Sequence, residues 1–167
     1  MSSLNTDEKY YHGNGLVCFK SSWPSQWHKS SFILNDITYN CCEQRMMHMK
    51  ALLFEDHENA ELILNQEEPK EQKKLGRLVK NFDEDIWNKI ADSIVYEANL
   101  AKFSQNQDLK DLLLATNDDE IVEASPYDNI WGNGLNITDT LKTPKDQWKG
   151  ENRLGKALMK VRNTLRN

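Results

Sequence analysis

Apolar residues first recur at strand spacing and then, from about residue 40, at helical spacing. Leu16–Phe19 is predicted to be a short strand, and residues 31–39 a second extended segment that turns at Asn35-Asp36. Beyond them the pattern predicts helices over about 40–54, 58–65, 83–103, 107–116 and 152–165, with another that begins at Pro69. We therefore expect a chain in which helix outweighs strand.

Two predicted helix starts carry side chains that can accept hydrogen bonds from the free backbone N–H groups of the first turn. Asn40 is the expected N-cap of the helix over 40–54, with Glu43 three residues later in the capping-box position. Asp83 is the expected N-cap of the longest helix. The buried stripes of the longest and the last helix are predicted to be Ile86, Ile90, Ile94, Ala98 and Ala101, and Leu154, Leu158, Val161 and Leu165.

Length and composition favour one globular domain. The chain has 167 residues, of which 38% are hydrophobic and 28% charged. We expect a flexible N-terminus over residues 1–12 and a single domain over residues 13–167. No apolar run approaches the roughly 20 residues that cross a bilayer, and the polar start lacks the apolar region of a signal peptide. The default expectation is therefore a cytoplasmic protein that does not contact membranes.

Metal ligands, disulfide partners and common phosphate motifs are not apparent. Cys41 and Cys42 are adjacent, which is poor geometry for a bridge between them, and the four histidines lack metal-site spacing. Glycine-rich phosphate loops and a serine-nucleophile motif do not occur. We predict no metal and no cofactor. The formal charge of −5 argues against a broad basic surface for long nucleic acid, so any such contact should be local.

Residues 123–134 (EASPYDNIWGNG) form a turn-rich segment between helical patterns. Pro126 fixes its own φ, and the two glycines permit backbone geometry that other residues avoid. A carboxylate and an indole on such a loop, Asp128 and Trp131, suit proton chemistry beside a planar ring. The alternative is an Asx-turn carboxylate and a core tryptophan, and spacing alone does not choose between them.

Glu43 and Lys50 should share one face of their helix. Seven residues at 100° each amount to about 700°, almost two full turns, and separate the two by roughly 10 Å along the axis. Met46 and Met47 between them would supply a partly apolar floor, where the pKa of the amine falls and that of the acid rises unless they pair. The alternative is a Glu43 that only completes a capping box and a solvated Lys50.

A basic stripe is predicted on the helix that begins at Pro69, with apolar residues opposite. Its members are Lys70, Lys73, Lys74, Arg77 and Lys80. Such stripes are commonly solvated faces, but in an acidic chain this one also suits phosphate. Trp87, in the first turn of the next helix, is either a core residue or a ring that projects toward a neighbouring loop such as the one holding Asp128.

Several stretches together resemble the NADAR family of YbiA-like N-glycosidases. In order they are residues 39–51 (YNCCEQRMMHMKA), 75–82 (LGRLVKNF) with Trp87, 101–106 (AKFSQN), 123–134 and 148–162. The resemblance implies a mainly α fold with a small β portion (α+β), in a compact single-domain, YbiA-like helical arrangement. It also implies a hydrolase that acts on N-glycosidic bonds. Family activities include splitting a phosphoribosylamino-pyrimidine of riboflavin biosynthesis and removing ADP-ribose from guanine.

The same resemblance implies site residues. The glutamate of the family's Glu-Gln-x-Met-Met motif falls on Glu43, the lysine of that helix on Lys50, and the aspartate of the Ala-Ser-Pro-x-Asp motif on Asp128. These three are the expected catalytic residues. The expected substrate-binding residues are Trp87, Trp131, Arg77, Ser125 and Gly132.

The expected ligand is a nucleotide-like small molecule or an ADP-ribosylated nucleic-acid base. Arg45 stands where the family usually has an aromatic residue, and Asn133 interrupts the usual Trp-Gly-Ile-Gly, so the base accepted is left open. One competing interpretation is a module that binds ADP-ribose or a related nucleotide without cleaving it. Another is a structural protein in which Glu43 only caps a helix and Asp128 only forms a turn. No oligomeric state is predicted.

Overall fold

The computed structural model describes residues 8–167, which contain seven α-helices and five short strands. The predicted mainly α fold with a small β portion is confirmed. The elements in chain order are β1 Tyr10–Gly13, β2 Leu16–Phe19, β3 Phe32–Leu34, β4 Ile37–Tyr39, α1 Cys42–Leu53, α2 His57–Asn65, α3 Pro69–Arg77, α4 Glu84–Gln105, α5 Gln107–Leu114, β5 Glu120–Glu123, α6 Ile137–Lys142 and α7 Arg153–Arg166. They divide into two compact units, Gln26–Lys110 and residues 8–25 with 111–167.

Helix α1 is the centre of the unit Gln26–Lys110, where it packs against α2, α3, α4 and β4. Every residue from Cys42 to His48 is buried, so its polar side chains need partners inside the protein. The predicted N-cap is wrong: the helix is preceded by Cys41, which makes no side-chain cap bond. The N–H of Asn40 is instead donated to Oε1 of Gln44, 2.8 Å away, which fixes the entry into α1.

The starts of α3 and α4 follow the sequence signals. Pro69 is the first residue of α3, and Oδ1 of Asp83 accepts the N–H of Ile86 at 3.2 Å. Ile94, Ala98 and Ala101 are buried as predicted, but the predicted stripe fails in the first turn of α4, where Ile86 is exposed. The inward row begins instead at Trp87 and Ala91, one residue further round the helix.

Strands β3 and β4 form a hairpin whose turn is the predicted Asn35-Asp36 pair, with φ of 53° and 64°. Two consecutive positive φ angles are typical of tight hairpin turns, and Asn and Asp tolerate them. Arg45 of α1 donates to the hydroxyl of Tyr39 at 3.0 Å and to Oδ1 of Asn35 at 2.9 Å. The buried guanidinium of Arg45 therefore ties the hairpin to α1.

In the other unit, β1 and β5 flank β2, antiparallel and parallel respectively, with α7 packed against β5 and α6 against β2. Tyr10–His12, which the sequence placed in a flexible end, belong to β1 because Tyr10 pairs with Phe19 across the ladder. Residues 1–7 of that predicted end lie outside the described residues. Leu154, Leu158 and Val161 of α7 are buried as predicted, whereas Leu165, the fourth residue of the predicted stripe, is only half-buried.

All three cysteines are free and buried. Burial raises the pKa of Cys18 and of Cys42 to about 12, and that of Cys41 to about 11. Because the thiolate is the nucleophilic form, these thiols are not activated for attack near neutral pH. No helix in residues 8–167 has the length and apolar character needed to span a membrane.

Candidate functional site

The eight residues expected at the site fall into two groups, one in each unit. The unit Gln26–Lys110 holds Glu43, Lys50, Arg77 and Trp87, and the unit of residues 8–25 with 111–167 holds Ser125, Asp128, Trp131 and Gly132.

Glu43 and Lys50 lie on α1, which runs without interruption from Cys42 to Leu53, so both occupy one helix face. Glu43 is only 6% exposed and Lys50 is half-buried. Desolvation lowers the pKa of Lys50 below its usual range, while Glu43 opposes this change and Arg77 adds to it. A larger share of neutral amine, the nucleophilic form, is therefore present near pH 7 than for a solvated lysine.

An aromatic ring covers the amine. Nζ of Lys50 lies 4.4 Å from the ring centroid of Phe82, and Phe54 packs edge-on against that ring with a centroid separation of 5.4 Å. Phe54 follows α1 directly and is buried, so its contact helps to hold the Phe82 ring in place. Sequence reasoning did not assign Phe82 to the site. The signal available was its place at the end of the family-like stretch 75–82.

Gly76 of α3 leaves room for the side chain of Met47 of α1. A Cβ at Gly76 would collide with Sδ of Met47, so a larger residue here would displace that side chain from its place between the helices. Arg77, the next residue, is exposed in the last turn of α3. The positive charge of Arg77 is one of the causes that lower the pKa of Lys50. α3 therefore contributes a positive charge that favours the neutral form of the candidate nucleophile.

Trp87 is 7% exposed in the first turn of α4, where its backbone N–H donates to the carbonyl of Asp83 at 3.0 Å. That burial is what the core interpretation predicts, and it leaves a small part of the ring for a ligand. Stacking of Trp87 on a substrate stays a prediction.

Asp128 forms the turn that was the alternative interpretation of this residue. Its Oδ1 accepts the N–H groups of Ile130 at 2.9 Å and of Trp131 at 2.8 Å. Its Oδ2 has no hydrogen-bond partner among residues 8–167. A carboxylate fixed through one oxygen keeps the other for a ligand, so the turn and a proton-transfer role are compatible.

The rest of this loop is tightly packed. Cζ of Arg153 lies 4.6 Å from the ring centroid of Trp131, which covers part of the half-buried indole with a guanidinium. A Cβ at Gly132 would meet the carbonyl oxygen of Asp128 at 2.9 Å and Cβ of Ser125 at 3.0 Å. Gly132 is therefore needed for the loop to fold back on itself. Contact of Ser125, Trp131 or Gly132 with a substrate stays a prediction.

Asn152 holds the loop to the strand before it. This buried residue has a φ of 52°, and its Nδ2 donates to the carbonyl of Ile121 at 3.0 Å. Its Oδ1 accepts the N–H of Glu123 at 3.0 Å, and its own N–H is donated to the carbonyl of Gly132 at 3.0 Å. Sequence reasoning gave it only the start of the last helix. Its tolerance for positive φ was the available signal.

Asn133, a departure from the family pattern, has a structural role. Its side chain is fully buried, donates to Oγ1 of Thr140 at 2.9 Å and accepts the N–H of Leu135 at 3.1 Å. Its amide is therefore used inside the protein. Among residues 8–167 no group of three or more His, Cys, Asp or Glu side chains is arranged to hold a metal ion.

The model of the NADAR domain matches residues 10–166. An N-glycosidase of Acanthamoeba polyphaga mimivirus is 46% identical over 143 residues, which are 83% of this chain and 84% of that protein. N-glycosidase YbiA of Escherichia coli is 30% identical over 118 residues, 71% of this chain and 67% of that protein. The NMR structure of E. coli YbiA superposes with a TM-score of 0.76 at 24% identity, over 99% of this chain and 94% of that chain, and so shares the fold. This chain belongs to the NADAR domain family.

Proposed function

We propose that this protein hydrolyses the C1′–N bond between a ribose and a base. The substrates proposed are ADP-ribosylated guanine and the phosphoribosylamino-pyrimidine of riboflavin biosynthesis. The observation that carries the proposal is the half-buried amine of Lys50, with a lowered pKa, on the same helix face as the buried Glu43. Membership of a family whose relatives include proteins named N-glycosidase supports it.

Cleavage of this bond creates two opposite charges. Positive charge builds on the ribose as negative charge builds on the departing base, so both need stabilisation in the transition state. In the direct route one carboxylate takes a proton from water, whose oxygen attacks C1′, and the other carboxyl group gives a proton to the leaving nitrogen. Glu43 and Asp128 are the two groups proposed for these roles. The reaction consumes one water molecule and needs no cofactor.

A second route uses Lys50 as the nucleophile. Its neutral amine attacks C1′ of the ring-opened sugar, the base departs with a proton, and an imine joins Nζ to C1′. Water then hydrolyses the imine, which returns the free amine and releases the sugar as an aldehyde. The lowered pKa of Lys50 favours this route, because only the neutral amine attacks.

The remaining site residues are proposed to bind rather than to react. The indoles of Trp87 and Trp131 would stack on the base or sugar, and the exposed guanidinium of Arg77 would pair with phosphate. The loop residues Ser125 and Gly132 would contact the substrate through their backbone.

The test is incubation of the protein, separately, with ADP-ribosylated guanine DNA and with the phosphoribosylamino-pyrimidine, while the released base is measured. Release from either supports the proposal and names the substrate class, whereas release from neither would refute it.

Borohydride added during turnover separates the two routes. A trapped adduct on Lys50 supports the imine, and its absence together with a slow Lys50→Ala variant supports the direct route. Lys74→Ala, which changes an exposed lysine, is the matched control.

A further inference from the structure

Three cations of α3 have no carboxylate partner among residues 8–167: Lys70, Lys73 and Arg77. They occur at positions i, i+3 and i+7, so they share one helix side and span roughly 10 Å along its axis. Lys74 on the same helix differs, since its Nζ lies 3.2 Å from Oε1 of Glu71. The unpaired row is thus a local concentration of positive charge on a chain whose net charge is −5.

Exposed aromatic rings flank this row. Nζ of Lys73 lies 5.9 Å from the ring of Trp27, which is 42% exposed. Beyond Arg77, the last cation of the row, the chain leads to Phe82, a ring that is 43% exposed and whose centroid lies 4.4 Å from Nζ of Lys50. We call the surface formed by Trp27, Lys70, Lys73, Arg77 and Phe82 the α3 track.

We propose that the α3 track binds single-stranded nucleic acid next to the base that is cleaved, an inference that rests on the proposed function. Lys70 and Lys73 meet successive phosphates of the strand, Arg77 keeps the substrate phosphate proposed for it, and a neighbouring base stacks on Trp27. A row of cations beside exposed rings suits this ligand, because a single strand offers both phosphate charge and unstacked base faces. Phe82, a member of the track, has its ring centroid 4.4 Å from Nζ of Lys50, so a strand bound along the track leads toward the candidate nucleophile.

Other anionic partners fit this surface less well. A duplex keeps its bases stacked, so Trp27 would have no ring to meet. A helix that lies on a membrane needs a free apolar face, but α3 uses its other side to pack against α1 and α2. The row is also short, which agrees with contact to a few nucleotides instead of a long groove.

The experiment measures binding of an unmodified single-stranded oligonucleotide by fluorescence anisotropy at several salt concentrations. The double variant Lys70→Gln, Lys73→Gln should bind more weakly, with a log–log salt slope shallower by about 1.4, since each phosphate contact on a single strand contributes about 0.7. Lys74→Gln should keep the wild-type slope. Trp27→Ala should weaken binding at least about fivefold, and Trp27→Phe should recover most of that loss.

An unchanged slope in the double variant, or an equal change in Lys74→Gln, would overturn the inference. So would equal affinity for a duplex, or salt-dependent binding of phosphatidylserine vesicles without binding of the strand. Because the oligonucleotide is not cleaved, this result is independent of turnover. If the strand binds as expected but no base is ever released, the hydrolase proposal fails and the track stands. If base is released from an ADP-ribosylated nucleoside but the strand does not bind, only the track fails.

Discussion

Lys50 and Phe82 come together 32 positions apart in the chain, with the amine nitrogen 4.4 Å from the ring centroid. Lys50 is on α1, and Phe82 is in the connection between α3 and α4. The ring limits the access of water to one side of the amine, and desolvation is the main cause of the lowered pKa of Lys50. The contact therefore links a packing feature to the reactivity of a candidate nucleophile.

Replacing this ring should make Lys50 behave more like a solvated lysine. In Phe82→Ala we expect the pKa of Lys50 to rise toward its ordinary value, because desolvation is the largest cause of its lowering. The gain in hydration outweighs the lost cation–π contact, which favours the charged amine. The measurement is the rate at which Lys50 is acetylated in the folded protein as a function of pH, with the acetylated fraction quantified by mass spectrometry. Leu78→Ala, at an exposed apolar residue of the same connection, should leave that profile unchanged. A profile for Phe82→Ala that stays at the wild-type position, or moves to lower pH, would contradict the role of the ring.

The proposed role of Asp128 in proton transfer can be tested separately from its role in the turn. Asn at this position still offers Oδ1 to the N–H groups of Ile130 and Trp131, so Asp128→Asn should keep the loop and change the unfolding free energy by less than about 0.5 kcal/mol. Turnover should nevertheless fall by at least ~10²-fold, because an amide does not transfer the proton. Asp128→Ala should lose the turn as well, at about 1–2 kcal/mol of stability. Full activity in Asp128→Asn would reduce Asp128 to a turn residue.

Asn152 should contribute to the free energy of unfolding through its side-chain hydrogen bonds. Asn152→Gly keeps the backbone φ of 52° accessible but leaves the carbonyl of Ile121 and the N–H of Glu123 without their side-chain partners. We expect a loss of roughly 2–3 kcal/mol in the free energy of unfolding by urea. Asn163→Gly, at an exposed position inside α7, controls for the backbone cost of replacing Asn by Gly, which is at most about 0.5 kcal/mol because Asn is itself a poor helix former. If the two variants lose the same amount, the bonds of Asn152 contribute little.

Lys102 should make stability depend on pH. It is completely buried, and desolvation lowers its pKa from 10.5 to about 8. Between these values the unfolded chain binds more protons than the folded one, so this residue makes stability rise with pH, by up to about 1.4 kcal/mol per unit. Below about pH 8 both states are charged and the slope from Lys102 vanishes.

The measurement is urea unfolding at pH 7, 8 and 9 for the wild type, Lys102→Met and Lys89→Met, which changes an exposed lysine of the same helix. Between pH 8 and 9 the wild type and Lys89→Met should gain stability relative to Lys102→Met. Lys102 lowers the pKa of Cys41 and of Cys42, so Lys102→Met raises both values further; the buried thiols therefore stay protonated up to pH 9 in all three folded proteins, and the comparison removes them. Parallel pH curves for the three proteins would contradict the lowered pKa.

The features that could be predicted from sequence depend on neighbours in the chain. Asp83 as an N-cap, Pro69 at the start of α3 and the Asn35-Asp36 turn each follow from local backbone geometry. β5 was not predicted, because Glu120–Glu123 has an acid at each end and becomes a strand only through pairing with β2. The strand at Tyr10–Gly13 was also missed, because it too becomes a strand only through pairing with β2.

The same distinction applies to the site. Helix periodicity placed Glu43 and Lys50 on one face, and α1 has that geometry. Phe82 could not be assigned from spacing, since its contact with Lys50 depends on how α3 and α4 pack around α1. The bonds of Asn152 to Ile121 and Glu123 likewise depend on the sheet of the other unit. Family resemblance supplied the positions of Glu43 and Asp128, whereas the partners of Asp128 required the coordinates.

The most direct test compares Glu43→Gln with the wild type for release of guanine from ADP-ribosylated guanine and of the pyrimidine from its phosphoribosylamino derivative. We predict that the wild type releases base from at least one of them and that Glu43→Gln does so at least ~10²-fold more slowly, with substrate affinity retained. Glu61→Gln, on the exposed side of α2, should match the wild type. Wild-type turnover in Glu43→Gln would contradict a catalytic role for the buried acid, and tight binding without release by the wild type would identify a binding module instead of a hydrolase.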